Sequence, residues 1–161
     1  ATVGGSVFGR FGFSDVLTLL LVMDSYVELY KGGIVPLADF VNMPYDRDIL
    51  VRIIVKKTAA HYSYKSVRIS KTDFPVLTCA AALTQEGVQA AVGARPAKAA
   101  LVKDAEQLAT LPMSAEKAQA FAEYAAGLLP TETNPRGSAA YRTHLIKVLT
   151  ARCLTELGGK A

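Results

Sequence analysis

The feature that most constrains this chain is a change of vocabulary at Pro96. From Ile49 to Val92, β-branched and apolar residues come in short runs broken by turn residues, whereas downstream Ala, Leu, Lys and Glu dominate. Runs of strands followed by runs of helices favour an α+β fold over a wound parallel sheet, because a parallel sheet needs a helix after nearly every strand.

The strand half divides further. Ile49 to Val55 is apolar at nearly every position, as expected of a strand covered on both faces. Tyr62 to Ile69 alternates, Phe74 to Thr84 carries Val76, Leu77, Thr78 and a run of alanines, and Gly87 to Val92 follows a tight turn. An antiparallel meander is expected. In the helical half, Ala97 to Ala109 sets Leu101, Ala105 and Leu108 at helical spacing, and Pro112 stops it. Ser114 caps a second helix that reaches Leu129 before Pro130. A third, from about Ser138 to Leu157, aligns Tyr141, Leu145, Val148, Leu149 and Cys153 in one stripe and ends at Gly158-Gly159.

Ahead of these, Ala1 to Asp15 reads as a glycine-rich loop, and Ser14 with Asp15 caps a helix through about Met23. Tyr26 to Tyr30, Lys31-Gly32-Gly33 and Ile34-Val35 form a β-hairpin, Pro36 to Val41 a helical turn and Asn42 to Asp48 a loop. A boundary near Thr58 to Ser63 divides the chain into 1–60 and 61–161, the first part being too small to close a core alone.

Composition excludes several functions. The longest apolar run, Val16 to Met23, is interrupted by Thr18 and falls far short of the roughly twenty residues a membrane helix needs. No export signal is visible, so the expectation is a cytoplasmic protein without membrane contact. The excess of 18 basic over 14 acidic residues is modest and scattered. Only Lys56 to Lys71, with Lys57, Lys65, Arg68, Tyr62 and Tyr64, resembles a single-strand nucleic-acid surface, and a solvated strand face explains it better. Cys79 and Cys153 belong to no Cys-x-x-Cys pair and suit small buried hydrophobes. His61 and His144 have no carboxylate or cysteine at ligand spacing and are not candidates for catalysis.

The segment richest in chemistry is Ala1-Thr2-Val3-Gly4-Gly5-Ser6, with Ser14-Asp15 eight positions beyond Ser6. Adjacent glycines let backbone N–H groups approach an anion without Cβ obstruction, and the hydroxyls of Thr2 and Ser6 add hydrogen bonds. This constellation resembles the second nucleotide-binding motif of the flavin subunit of molybdenum hydroxylases, the class that includes xanthine dehydrogenase and carbon monoxide dehydrogenase. The resemblance continues through Leu20-Leu21, Val27-Glu28-Leu29, Pro36 to Phe40, Asp73-Phe74-Pro75-Val76, Ala80-Ala81, Gly93-Ala94-Arg95-Pro96 and Tyr141-Arg142 with Leu145.

The resemblance implies a small α/β remnant of a flavin-binding domain, followed by a domain whose antiparallel sheet packs against C-terminal helices. It implies that Thr2, Gly4, Gly5 and Ser6 face the FAD pyrophosphate, with Ser6 standing where the family usually has Asn. It places Asp15 on a cofactor hydroxyl, Leu50 and Val51 near the adenine, and Lys71 to Phe74 near the cofactor. An ionised Asp suits a hydroxyl and not a phosphate, and helix capping is an equally physical role for Asp15. The family's N-terminal FAD subdomain has no counterpart in this sequence, so only part of an FAD site is expected. The implied activity is that of an FAD-dependent oxidoreductase subunit, inactive as an isolated chain, which passes electrons from iron–sulfur clusters to an external acceptor. Molybdopterin and the clusters would sit on partner subunits, a molybdenum subunit and an iron–sulfur subunit, and self-association would cover exposed apolar surface. No catalytic residue and no metal ligand is expected. Arg142 reads as a surface cation on an amphipathic helix, while the resemblance assigns it to packing. Two rival readings are a non-catalytic α+β module used for subunit interaction and a basic nucleic-acid binder.

Overall fold

The computed structural model describes residues 1–159. Its elements run α1 (Val3–Phe8), α2 (Asp15–Leu21), β1 (Ser25–Leu29), β2 (Gly33–Pro36), α3 (Leu37–Asn42), β3 (Leu50–Val55), β4 (His61–Val67), β5 (Leu77–Thr84), β6 (Gly87–Gly93), β7 (Ala100–Lys103), α4 (Ala115–Leu128) and α5 (Ala139–Gly158). The strands form one three-stranded sheet, ordered β2-β1-β3, and one four-stranded sheet, β4-β5-β6-β7. Every pairing between strands is antiparallel, as the α+β reading requires. No helix among the described residues is long and apolar enough to cross a membrane.

The second sheet is a shared wall. Along β5 and β6 the side chains alternate between two cores, as the period of a strand demands. Cys79, Ala81, Leu83, Ala90 and Val92 meet α4 and α5 on one face. Ala80, Ala82 and Ala91 meet Val7, Leu17, Leu21 and Phe40 on the other. Elements lie close on both sides of β5, which accounts for its alanine run, and the strand is buried from Leu77 to Leu83. The segment before residue 61 therefore closes its core against the back of the sheet. The two halves are also pinned by Thr18 Oγ1 to Thr78 Oγ1 at 2.9 Å and by Ala94 N donating to Gly12 O at 2.5 Å. Gly12 permits that approach, since a Cβ there would stand 2.4 Å from the carbonyl oxygen of Ala97.

Four expectations are corrected. Thr2 accepts from Gly5 N and starts a helix inside the stretch read as loop, because burial of Val7 outweighs the poor helix propensity of glycine. Residues Ala97 to Ala109 are not a helix. Ala100–Lys103 instead pairs with β6, burying Val102 and covering an edge that would otherwise be bare. Asp104 then closes a turn by accepting from Leu108 N and Ala109 N. β3 is not covered on both faces: it is an outer strand of its sheet, and Val51, at 53%, Arg52 and Val55 are exposed along it. On α5, Tyr141 faces solvent and Arg142 is buried in its place.

The guanidinium of Arg142 is consumed by the loop before its helix and by the residue that precedes β5. Nε donates to Val76 O at 3.0 Å, Nη1 to Glu132 O and Gly137 O, and Nη2 to Asn134 Oδ1 at 2.6 Å. The packing role stands, and the surface-cation reading is overturned. Ser114 caps α4 as the sequence indicates, and Ser138, where the third helix was expected to begin, caps α5.

Candidate functional site

The glycine-rich segment builds a ledge at the start of α1. Thr2 Oγ1 accepts from Gly5 N at 3.0 Å, which turns the backbone into the helix. A Cβ at Gly5 would stand 3.0 Å from that hydroxyl, and one at Gly4 would point toward Leu50 Cδ2 at 3.9 Å. The first turn of α1 carries no acidic residue. Its backbone is therefore approachable, unobstructed by Cβ atoms at Gly4 and Gly5, and free of a carboxylate that would repel an anion. These are the properties a pyrophosphate group needs, and the residues fit it.

Ser6 ties this ledge to the next helix. Its hydroxyl lies 2.7 Å from Ser14 Oγ, which in turn accepts from Leu17 N at 3.1 Å to cap α2. Thr2, Gly4, Gly5, Ser6 and Leu50 thus gather at one place, with Asp15 joined to them through Ser14. Val51 follows Leu50 on β3 and is exposed. Lys71 is exposed beyond the end of β4, and the structure supplies no contact that draws it to the ledge.

Asp15, the first residue of α2, does not cap that helix; Ser14 does. Its Oδ1 accepts from Tyr64 Oη and from Arg68 Nη2, each at 2.5 Å. Arg68 Nη1 continues to Asp73 O at 2.8 Å, and Arg136 reaches Asp73 Oδ1 at 3.3 Å. Burial first, and then the bond to Asp15, push the Tyr64 phenol well above its ordinary value of 10.0. The phenol is a firm donor.

Sequence reasoning missed Tyr64 and Arg68 as partners of Asp15. The signal was present in the alternation of β4. Tyr62 and Tyr64 pack toward the first half, while Ser63 and Lys65 reach Glu156 on α5. The locally basic stretch is largely neutralised by such pairs: Lys56 with Asp24, Lys65 with Glu156 and Arg68 with Asp15. Cys79 and Cys153, distant in sequence, meet in the core between β5 and α5, where contact with Cys153 and burial push the Cys79 thiol up. Among the described residues, no group of three or more His, Cys, Asp and Glu side chains is placed to hold a metal ion.

YgfM of Escherichia coli is 29% identical over 152 residues, which cover 94% of this chain and 56% of YgfM. The chain thus spans little more than half the length of this curated relative. Carbon monoxide dehydrogenase from Hydrogenophaga pseudoflava, in a form lacking the Mo-pyranopterin moiety of the molybdenum cofactor, superposes with a TM-score of 0.86 at 19% identity, over all of this chain and 62% of that one. Quinoline 2-oxidoreductase from Pseudomonas putida gives 0.80 at 21%, over all of this chain and 61% of that one. At such identities these structures speak to the fold alone. The CO dehydrogenase flavoprotein C-terminal domain family matches residues 62–157, more than half of the sequence, and the chain belongs to that family.

Proposed function

We propose that this chain supplies one wall of an FAD site in a molybdenum hydroxylase, within a subunit that passes electrons from iron–sulfur clusters to an external acceptor. The observation that carries this reading is the ledge at Thr2 to Ser6, attached to a domain of the flavoprotein family. In this reading residues 1–60 belong to the FAD-binding domain and 61–161 to the C-terminal domain. The clusters and molybdopterin sit on partner subunits, in the cytoplasm. Exposed apolar residues such as Ile49 and Val51 offer surface for a partner or a second copy.

FAD, when bound, supplies the acceptance and release of electrons. The chain's part is to bind and orient. Gly4 presents its backbone N–H to the pyrophosphate, Gly5, whose N–H is held by Thr2, leaves room for the approach, and Thr2 and Ser6 are flanking hydroxyls. Asp15 offers carboxylate oxygen to a cofactor hydroxyl while Tyr64 and Arg68 fix its direction. Leu50 and Val51 give apolar contact to the adenine, and no side chain need donate or remove a proton.

Reconstitution at limiting FAD, read by flavin absorbance after gel filtration, tests this reading. Gly5→Val should lower retained flavin, because its side chain both displaces Thr2 and blocks the backbone. Unchanged flavin content would remove the pyrophosphate role and leave the α+β scaffold as a non-catalytic interaction module.

A further inference from the structure

A separate cleft of about 470 Å³ is lined by Phe11, Phe13, Phe74, Arg10, Lys98 and Arg136, together with Asn134 and with glycine, alanine and proline residues. Of the positions discussed above for the cofactor, only Phe74 belongs to it. We propose that this cleft binds a small planar aromatic anion, a one- or two-ring aromatic carboxylate in class.

The rings come first. Phe11, Phe13 and Phe74 are 49%, 43% and 50% exposed, an unusual placement for three phenylalanines in one spot. Phe11 and Phe13 stack with centroids 5.2 Å apart and planes 5° from parallel, and Phe74 tilts against Phe13 at 4.4 Å. They present adjoining aromatic surface on which a flat ring gains contact by offset or edge stacking.

The charges point the same way. Three cations line the cleft and no carboxylate does, among the described residues. Arg136 is shared with Asp73 at 3.3 Å and also lies over the Phe74 ring at 5.3 Å. The other two rest on neutral oxygens: Arg10 Nη1 on Met43 O and Pro44 O, and Lys98 Nζ on Val41 O. Arg10 is 2% exposed and its Nε has no hydrogen-bond partner. A guanidinium held out of water by carbonyls and by the Phe40 ring, 3.9 Å from its centre, carries a desolvation cost that an anion in the adjoining cleft would offset. The volume suits one or two rings. Concavity, and the two cations Arg10 and Lys98 that rest on neutral oxygens, favour a small anion over a second protein surface.

Isothermal titration of the 161-residue chain with naphthoate tests the proposal, against naphthylmethanol, which lacks the charge, and cyclohexanecarboxylate, which lacks the aromatic ring. Naphthoate should bind about tenfold tighter than either control, the effect of roughly 1.4 kcal/mol. Lys98→Gln and Phe74→Leu should each weaken it severalfold with circular dichroism unchanged, and saturating FAD should leave it in place. Lys98→Gln, being partly exposed, keeps the test open if the Phe74 variant misfolds. Three equal affinities would overturn the proposal, as would displacement of naphthoate by FAD. So would a chain that ignores naphthoate but sediments as a dimer until Phe74 is replaced, which would make the patch a self-docking surface.

Discussion

Asp15 and Arg68, 53 positions apart in the chain, are joined by a 2.5 Å bond between Oδ1 and Nη2. The pair connects the start of α2 to the end of β4, so the residue proposed for the cofactor hydroxyl is also a tie between the two halves. Its side chains are 44% and 24% exposed, and solvent screening limits its contribution to stability. A double-mutant cycle with Asp15→Asn and Arg68→Gln, followed by urea unfolding, is expected to give a coupling of about 0.5–1 kcal/mol. Asp15→Asn should cost more in FAD retention than in unfolding free energy. Equal losses in both would confine Asp15 to the tie.

Tyr64 makes stability depend on alkaline pH. Its folded value is raised above 10.0 by burial and by the Asp15 carboxylate, so the fold binds the phenolic proton more tightly than the unfolded chain does. That contribution is complete below the unfolded value near 10.0 and is lost as pH rises above it toward the folded value. Denaturant melts at stepped pH should fall more steeply above pH 10 for the wild type than for Tyr64→Phe. Parallel curves would mean that the phenol is no better buried than in the unfolded chain.

Arg142 organises the loop from Glu132 to Gly137 through three donated bonds and ties it to Val76 O through a fourth. Arg142→Met keeps much of the stem but strands several carbonyls, each of which costs about 1–3 kcal/mol when buried without a partner. A net loss of about 3 kcal/mol is expected after partial rehydration. Arg142→Lys should rescue little, since an ammonium cannot span the same fork. Full stability of the lysine variant in thermal melts would show that charge alone suffices there.

At Gly12 the added methyl of alanine would meet the Ala97 carbonyl oxygen at 2.4 Å, a backbone atom that can move only with its segment. Gly12→Ala should therefore destabilise by about 1–3 kcal/mol. It should also speed hydrogen exchange at Ala94 N, whose acceptor is Gly12 O. Wild-type exchange at that amide would argue that the loop yields without disturbing the contact.

Much of the architecture was legible because local signals agreed with burial. Ser114 and Ser138 cap where they stand, and the alanine run of β5 matches a strand packed on both faces. The failures lie where tertiary contacts outvote propensity. Ala100 to Lys103 has helical vocabulary but serves as an edge strand because β6 needs a partner. Arg142 looks like a surface cation because nothing local reveals that a loop ten residues upstream brings it carbonyls. The ledge was readable as a glycine motif. Its link through Ser6 to Ser14 and the grip of Tyr64 and Arg68 on Asp15 depend on pairings that only the folded sheets create.

The flavin ledge itself is tested most directly by titrating FAD into wild-type and Gly5→Val protein and following flavin fluorescence. Loss of one or two charge-assisted bonds, worth about 1.5–3 kcal/mol each, predicts saturable binding to the wild type and affinity at least roughly tenfold weaker in the variant. Equal affinity in the two proteins, with both folded, would contradict a pyrophosphate resting on Gly4 and Gly5.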